Sequence, residues 1–148
     1  MIDYKFEGNF LYYVRLLKRM YERSLAGAAA RCGLSLPEAD VLSFLRENPG
    51  FDTARDVALY REVSRAYVSK AVELLAQRGY IAIAQDKTDR RLQHLIITDK
   101  AKQAADILHE AQYAFYGKVT AGLTQRELYS MLSAIAKCAG NLASDAGS

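Results

Sequence analysis

Residues 80–97 contain the feature that most constrains the fold, which is a pair of short apolar segments separated by a charged link. Residues 80–84 are apolar and β-inclined, and residues 92–97 alternate before they become apolar. The link 85–91, QDKTDRR, has three cations, two aspartates and no large apolar side chain. Two such segments joined by a polar tip predict a β-hairpin.

The segment before this hairpin predicts a helix-turn-helix unit. Thr53 begins a short helix over 54–60, and a tight connection over 61–63 leads to Ser64, the expected N-cap of a helix over 65–78. That helix has one apolar stripe and is followed by Gly79, a favourable residue beyond a helix end. The stripe consists of Val68, Ala71, Val72 and Leu75. A short helix, a turn and a second helix form the unit, and the hairpin after it occupies the position of a wing.

Longer helices are predicted on both sides. Gly8-Asn9 precedes the first amphipathic segment and Cys32-Gly33 ends it, while Ser35 and Glu38 form a capping box for the second helix. Thr98 is expected to cap a long helix, and Thr124 with Glu127 forms a second capping box. The last helix is expected to bury Leu128, Met131, Leu132, Ile135, Ala139 and Leu142. The predicted fold class is mainly α with a small β-hairpin wing, in which a winged helix-turn-helix lobe is flanked by N- and C-terminal dimerisation helices. We expect one domain over 1–148, with the lobe at 35–98 and dimerisation helices at 1–32 and 99–143.

Charge and composition narrow the function. The net charge is +3, and residues 53–100 hold nine cations against six anions, whereas the segments on either side are neutral. An excess of cations around the hairpin favours a nucleic-acid partner. No apolar run reaches the roughly 18 residues of a membrane span, so we expect no membrane partner. Two distant cysteines fit a reducing cytoplasm. Because no catalytic, metal or cofactor motif is present, we expect neither an enzyme nor a cofactor.

The first two turns of helix 65–78 carry the side chains that we predict to contact DNA bases, because recognition helices enter the major groove with their N-terminal residues. An arginine can bind guanine with two hydrogen bonds, and an alanine or tyrosine can contact a thymine methyl group. The helix N-terminus favours a nearby phosphate. The predicted contact residues are Ser64, Arg65, Ala66, Tyr67, Ser69 and Lys70. A charged face opposite a core stripe is more often simply solvated, so this face taken alone favours a solvated helix over a DNA-binding one.

The wing tip adds four predicted DNA-contacting residues. Asp89 can hold an arginine through a charge-assisted hydrogen bond and fix the direction of the wing. Arg90 and Arg91 place two cations at a tip that fits the minor groove, and Lys87 is placed for a phosphate. The alternative is a solvent-exposed ion pair of little energetic value. The position of this tip directly after a helix-turn-helix unit favours DNA binding.

Residues 53–101 resemble the winged helix-turn-helix of the MarR family of bacterial transcriptional regulators. The similarity lies in TARDVA, in VSRAYVSKAVELLAQRGYI and in DKTDRR followed by LIITDKA. The resemblance implies that Arg91, the arginine of the D-x-R motif, enters the minor groove. Two departures concern the turn, where Glu62 replaces a common glycine and Arg61 a common leucine. They predict a turn built differently, with Leu59 or Tyr60 supplying the packing.

The resemblance also implies a two-fold dimer through the terminal helices, which matches their aromatic content. The aromatic residues concerned are Tyr4, Phe6, Phe10, Tyr12, Tyr13, Tyr113, Phe115 and Tyr116. Many members of the family bind a small effector, to which Tyr12, Tyr13, Arg19, Phe44 or Tyr116 could contribute, and we assign no effector residue. Cys32 could sense an oxidant or a metal, although an unreactive thiol is favoured because no second Cys or His is near in sequence.

The function predicted from the sequence is a sequence-specific DNA-binding regulator. It would be a ligand-responsive homodimeric repressor that binds a pseudo-palindromic double-stranded operator, with helix 65–78 in the major groove and wing 85–92 in the minor groove. The alternative is a winged-helix protein–protein module, such as an anti-repressor or scaffold, that does not bind DNA.

Overall fold

The structure is a computed structural model that describes the backbone of residues 4–145 and the side chains of residues 9–145. Six helices, a 3-10 turn and a two-stranded sheet are formed over this range. In chain order they are α1 (Tyr4–Arg31), α2 (Leu36–Glu47), α3 (Ala54–Arg61), α4 (Arg65–Gln77), β1 (Ile81–Gln85), β2 (Gln93–Ile97), the 3-10 turn (Asp99–Ala101), α5 (Lys102–Val119) and α6 (Gln125–Asp145). The chain divides into two compact units, residues 1–113 and 114–148. The predicted fold class, mainly α with a small β-hairpin wing after a helix-turn-helix unit, is confirmed.

Local capping signals set most of the helix starts. Ser35 caps α2 in a reciprocal capping box with Glu38, and Thr53 does the same for α3 with Asp56. Ser64 accepts a hydrogen bond from the Tyr67 amide at 3.0 Å and so caps α4. These side chains satisfy amide groups that a helix start leaves without partners, which is why a short sequence pattern predicts them.

One predicted helix start is wrong, and a second is confirmed in its position but not in its side-chain bond. The first helix begins at Tyr4 and continues through Gly8-Asn9, because an isolated glycine weakens a helix without ending it. Thr98 does not cap the long helix through its side chain. Its hydroxyl instead donates to the Gly79 carbonyl at 2.6 Å, and a 3-10 turn separates it from α5. That bond joins the two ends of the wing.

One apolar core holds the lobe together. The stripe predicted for α4 is buried in full, and it packs with Leu42 of α2, Val57 of α3 and Leu108 of α5. Polar contacts fix the same elements. Glu38 is 2% exposed and pairs with Arg78, the C-cap of α4, at 2.7 Å. This pair ties the start of α2 to the end of α4, so α4 is held at both its core face and its C-terminus.

The two strands form the predicted antiparallel hairpin. Ile81 pairs with Ile97, Ile83 with Leu95 and Gln85 with Gln93. Ile81 and Leu95 are buried in the core cluster. The Leu95 amide also donates to the Asp52 carbonyl at 2.8 Å, so β2 is bonded on its second edge to the segment between α2 and α3. The hairpin is therefore anchored at its base while residues 86–92 extend beyond it.

The last helix lies in the second unit and has no buried residue. The prediction that α6 buries its apolar stripe is wrong within a single chain: Leu132, Ile135 and Leu142 are 56%, 54% and 72% exposed. The first half of α1, as far as its side chains are described, is also exposed, with burial beginning at Leu25. The side chains of Tyr4 and Phe6, which we predicted to contribute to an interface, lie outside the described side chains.

Candidate nucleic-acid interface

The first two turns of α4 present a polar surface on the side opposite the core. Ser64, Arg65, Ala66, Ser69 and Lys70 are exposed, whereas Val68 between them is fully buried. Lys70 approaches Glu73 at 3.7 Å, but both side chains are more than half exposed, so this pair contributes little to stability. Apart from the Ser64 hydroxyl, which caps α4, the described contacts therefore leave these side chains available to an external partner.

Tyr67 differs from the other predicted contact residues of α4. It is half-buried and packs against the core cluster. Burial raises the pKa of its phenol, and the nearby carboxylates of Asp40 and Glu22 raise it further. Tyr67 is therefore less accessible to DNA than its neighbours on α4.

The wing loop 86–92 is organised by its two aspartates. One carboxylate oxygen of Asp86 accepts hydrogen bonds from the Thr88 amide, the Thr88 hydroxyl and the Asp89 amide, each at 2.8 Å. The Gln85 side-chain amide donates to the Arg90 carbonyl at 2.8 Å. These bonds shape the loop so that Lys87, Arg90 and Arg91 are all exposed. Hydrogen bonds to the charged form hold the pKa of Asp86 well below its usual range, chiefly the bond from His94.

Asp89 acts on Arg91 in a way that differs from the sequence-based interpretation. Its carboxylate accepts a hydrogen bond from the Arg91 backbone amide at 2.9 Å. The ion pairs of the described residues do not include one between these two side chains. An aspartate two residues before an amide readily forms such an Asx turn. Asp89 thus fixes the backbone from which Arg91 extends, and the guanidinium is left exposed.

Comparison with known proteins gives this arrangement a family. Residues 33–92 match the model of the MarR family, a range that includes the helix-turn-helix unit and the wing loop. The resemblance noted from the sequence is thereby confirmed for the lobe. No curated protein sequence matches the chain significantly.

Solved structures extend the likeness of fold beyond the MarR lobe to most of the chain. A transcriptional regulator of the MarR family from Silicibacter pomeroyi is similar with a TM-score of 0.79 and 21% identity, covering 91% of this chain and 90% of that one. A putative MarR family regulator from Listeria monocytogenes, solved with a 26mer DNA, is similar with a TM-score of 0.82 and 20% identity. The match covers 98% of this chain and 92% of that one. CouR from Rhodococcus jostii RHA1, bound to p-coumaroyl-CoA, is similar with a TM-score of 0.73 and 19% identity. The match covers 85% of this chain and 88% of that one. The fold of the chain is therefore that of MarR-family transcriptional regulators.

The turn between α3 and α4 shows how the two departures from the MarR-family sequence pattern are accommodated. Glu62 adopts the left-handed conformation, with φ 52° and ψ 46°, in which a glycine would be unstrained. Leu59 is 66% exposed, whereas Tyr60, although 58% exposed, supplies packing as predicted: its ring stacks on Phe44 with centroids 6.0 Å apart and meets the Phe51 ring edge-on at 5.1 Å. Arg61 lies 3.2 Å from Asp40 and over the same Phe44 ring at 5.5 Å. A cation with a long apolar stem thus occupies the place of a packing residue.

Sequence reasoning missed one cluster near the wing. His94 of β2 lies between the carboxylates of Asp52 and Asp86, with its Nδ1 2.7 Å from one and its Nε2 2.8 Å from the other. Its alternating position on a strand gave no sign of this, since Asp52 is 42 residues away. The D-x-x-D spacing of Asp86 and Asp89 was the available signal, because it is typical of a loop folded around an aspartate.

Cys32 is half-buried, and burial raises the pKa of its thiol while the neighbouring Arg31 opposes that effect. A thiol whose pKa is raised is less nucleophilic at neutral pH, which disfavours a redox-sensing role.

Among residues 4–145, no helix is both long and apolar enough to cross a membrane.

Proposed function

We propose that this protein is a homodimeric, sequence-specific DNA-binding regulator that acts as a repressor in the cytoplasm and is released by a small ligand. One observation carries the proposal. The exposed start of α4 and the exposed wing tip of a MarR-family lobe supply five cations with free or nearly free side chains. They are Arg65, Lys70, Lys87, Arg90 and Arg91. A binding protein of this kind needs no catalytic group, so we propose no enzymatic activity.

In this proposal α4 enters the major groove and the wing enters the minor groove. Arg65 and Ser69 face base edges, with Ala66 against a thymine methyl group, while Ser64, Lys70 and Lys87 lie near phosphates. The half-buried Tyr67 makes at most an edge contact. Arg91 is placed in the minor groove, where a narrow A·T-rich segment concentrates negative potential, and Arg90 is placed at its wall.

We propose that residues 35–98 bind DNA and that residues 1–32 and 99–143 form the dimer interface. The apolar residues exposed on the first half of α1 and on α6 support it, because monomeric proteins rarely expose contiguous apolar surfaces of this kind. Two lobes held by a two-fold axis would bind two half-sites of a pseudo-palindromic operator. The presence of p-coumaroyl-CoA in the similar CouR structure supports a ligand of small-molecule size.

Binding to the DNA upstream of its own gene tests the proposal, measured by fluorescence anisotropy at several salt concentrations. Because neutralising phosphates releases counterions, we expect affinity to fall by about a thousandfold or more between roughly 50 and 200 mM salt. The variant Arg90→Gln/Arg91→Gln should show a shallower dependence, and Lys137→Gln on α6 is the matched control. Absence of binding, or affinity that is flat in salt, would favour the protein–protein module instead.

A further inference from the structure

The base of the wing contains an imidazole held between two carboxylates. His94 Nδ1 lies 2.7 Å from Asp52 Oδ1, and its Nε2 lies 2.8 Å from Asp86 Oδ2. The side chains are 32%, 39% and 23% exposed for His94, Asp52 and Asp86, so water screens the cluster only in part. The three residues come from β2, from the segment between α2 and α3, and from the start of the wing loop.

Counting donors fixes the protonation state that this geometry favours. An ionised carboxylate only accepts hydrogen bonds, so each ring nitrogen must donate to satisfy its partner. A neutral imidazole has one N–H, whereas the imidazolium has two. Only the cation makes both bonds while both aspartates are charged. In agreement, the bonds to Asp86 and then to Asp52 raise the pKa of His94 above its ordinary range, against a smaller opposing effect of burial.

Charged groups on the neighbouring elements do not compete for the ring in the described contacts. On α2, Glu38 pairs with Arg78, Asp40 and Glu47 face Arg61, and Arg46 pairs with Asp106. On α3, Asp56 is engaged by Thr53 and Arg55 is exposed. The cross-strand neighbour on β1 is Ala84, which carries no charge.

The cluster joins the wing loop to the helix-turn-helix unit. Asp86 uses one oxygen for His94 and the other for the amides of Thr88 and Asp89, which begin the loop. Asp52 directly precedes Thr53, the N-cap of α3. The hydrogen bond from the Leu95 amide to the Asp52 carbonyl anchors the hairpin to this segment. The contact of the His94 ring with the Asp52 carboxylate joins the same two segments one residue closer to the wing tip.

We propose that His94 is a positioning residue for DNA binding, which as an imidazolium locks the wing loop to the segment before α3 through Asp86 and Asp52. This inference rests on the proposed DNA-binding function. Loss of the proton removes one of the two bonds and leaves a ring nitrogen lone pair facing a carboxylate. The loop then moves more freely, and Arg91 must be ordered when DNA binds, which weakens binding.

The direction of the pH effect follows from the cation. Because the pKa of His94 is raised in the folded protein, the protonated ring bridges Asp86 and Asp52 at low pH. This bridge is lost as pH rises through the raised pKa. The loss therefore occurs above about pH 6.5, the ordinary histidine value. Cys32 does not titrate in the lower part of this window, since burial raises the pKa of its thiol.

The first test is operator affinity from pH 6 to 9 at constant ionic strength. We expect the affinity of the wild-type protein to fall about three- to tenfold across the His94 titration, as for a partly exposed ion pair. His94→Gln should bind weakly at all pH values and lose this dependence. His109→Gln removes the other histidine, which lies on α5, and should retain it. An unchanged pH profile in His94→Gln would overturn the proposal.

Asp52→Asn separates positioning from general stability. An asparagine can donate to the free nitrogen of a neutral His94, whose other N–H still bonds Asp86. This variant should therefore bind at pH 9 about as tightly as the wild-type protein binds at pH 6, and its pH dependence should be reduced. A purely structural role for the cluster would instead make Asp52→Asn and His94→Gln lose affinity alike, which contradicts the proposal.

Nuclear magnetic resonance of the DNA-free protein distinguishes failure of this inference from failure of the proposed function. The His94 ring should titrate above its ordinary range, and the amide signals of Thr88 and Asp89 should follow the same transition. If they do so in a protein that binds no DNA, the lock exists and the proposed function is wrong. If His94 titrates normally or the amides do not respond, the lock is wrong whether or not DNA binds.

Discussion

Helices α4 and α6 carry similar sequence patterns and have opposite surroundings. Each has an apolar stripe at helical spacing and a polar opposite face. In α4 the stripe is buried, with Val68 and Leu75 wholly inaccessible, and in α6 the stripe residues Leu132 and Ile135 are more than half exposed. Helical periodicity thus shows that a face needs covering, and it does not show whether the same chain supplies the cover. The polar face of α4 is then the candidate for DNA, whereas the apolar face of α6 is the candidate for a second copy.

The largest effect should come from truncating the two stripes. Leu75→Ala should lower the free energy of unfolding by about 2–5 kcal/mol, because it leaves a cavity in a closed core. Leu142→Ala, at a site 72% exposed in a single chain, should cost well under half as much at protein concentrations low enough to keep the protein monomeric. Urea unfolding at several protein concentrations measures both. Equal losses would contradict the difference drawn between the two helices.

The next effect concerns assembly. Placing a charge on the α6 stripe with Ile135→Glu should weaken the proposed dimer by at least tenfold in dissociation constant, since a buried unpaired charge costs several kcal/mol. Ser130→Glu introduces the same charge on the opposite side of the helix and is the matched control. Analytical ultracentrifugation gives both constants. A dimer that tolerates Ile135→Glu as well as Ser130→Glu must be formed through another surface.

A smaller effect separates base contacts from phosphate contacts. Arg65→Ala should cost roughly 1–3 kcal/mol at one base pair of each half-site and relax the preference there. Lys87→Ala should weaken all sequences by a similar factor, because a phosphate contact carries no sequence information. Affinities for the operator and for single-base variants decide the matter. If both variants weakened all sequences equally, Arg65 would not contact bases.

The smallest effect lies in the turn before α4. Glu62 is a non-glycine residue in the left-handed conformation, which costs about 1 kcal/mol. Glu62→Gly should relieve most of this strain and raise the melting temperature by a few degrees. Glu62→Ala keeps the strain and should give no such gain. A lower melting temperature for Glu62→Gly would indicate that the Glu62 side chain contributes a compensating contact.

Short-range signals were sufficient for much of this structure, and long-range contacts were not. The caps at Ser35, Thr53 and Ser64 follow from residues three positions apart, and the hairpin follows from strand alternation. The Arg91 amide donates to the Asp89 carboxylate, whereas the sequence predicts a pair of side chains, because sequence spacing cannot distinguish main-chain from side-chain donors. The contact of His94 with Asp52 depends on the tertiary fold, which brings β2 beside the segment before α3.

Selection of bound fragments from a random DNA pool by the wild-type protein tests the central claim most directly. If two lobes bind DNA through α4 and the wing, the enriched sequences should share a two-fold symmetric motif. Its half-site centres should lie about one helical turn, or roughly 10 base pairs, apart. The minor-groove segments under the wings should be rich in A·T pairs. A pool that gains no common motif after repeated rounds would contradict the account.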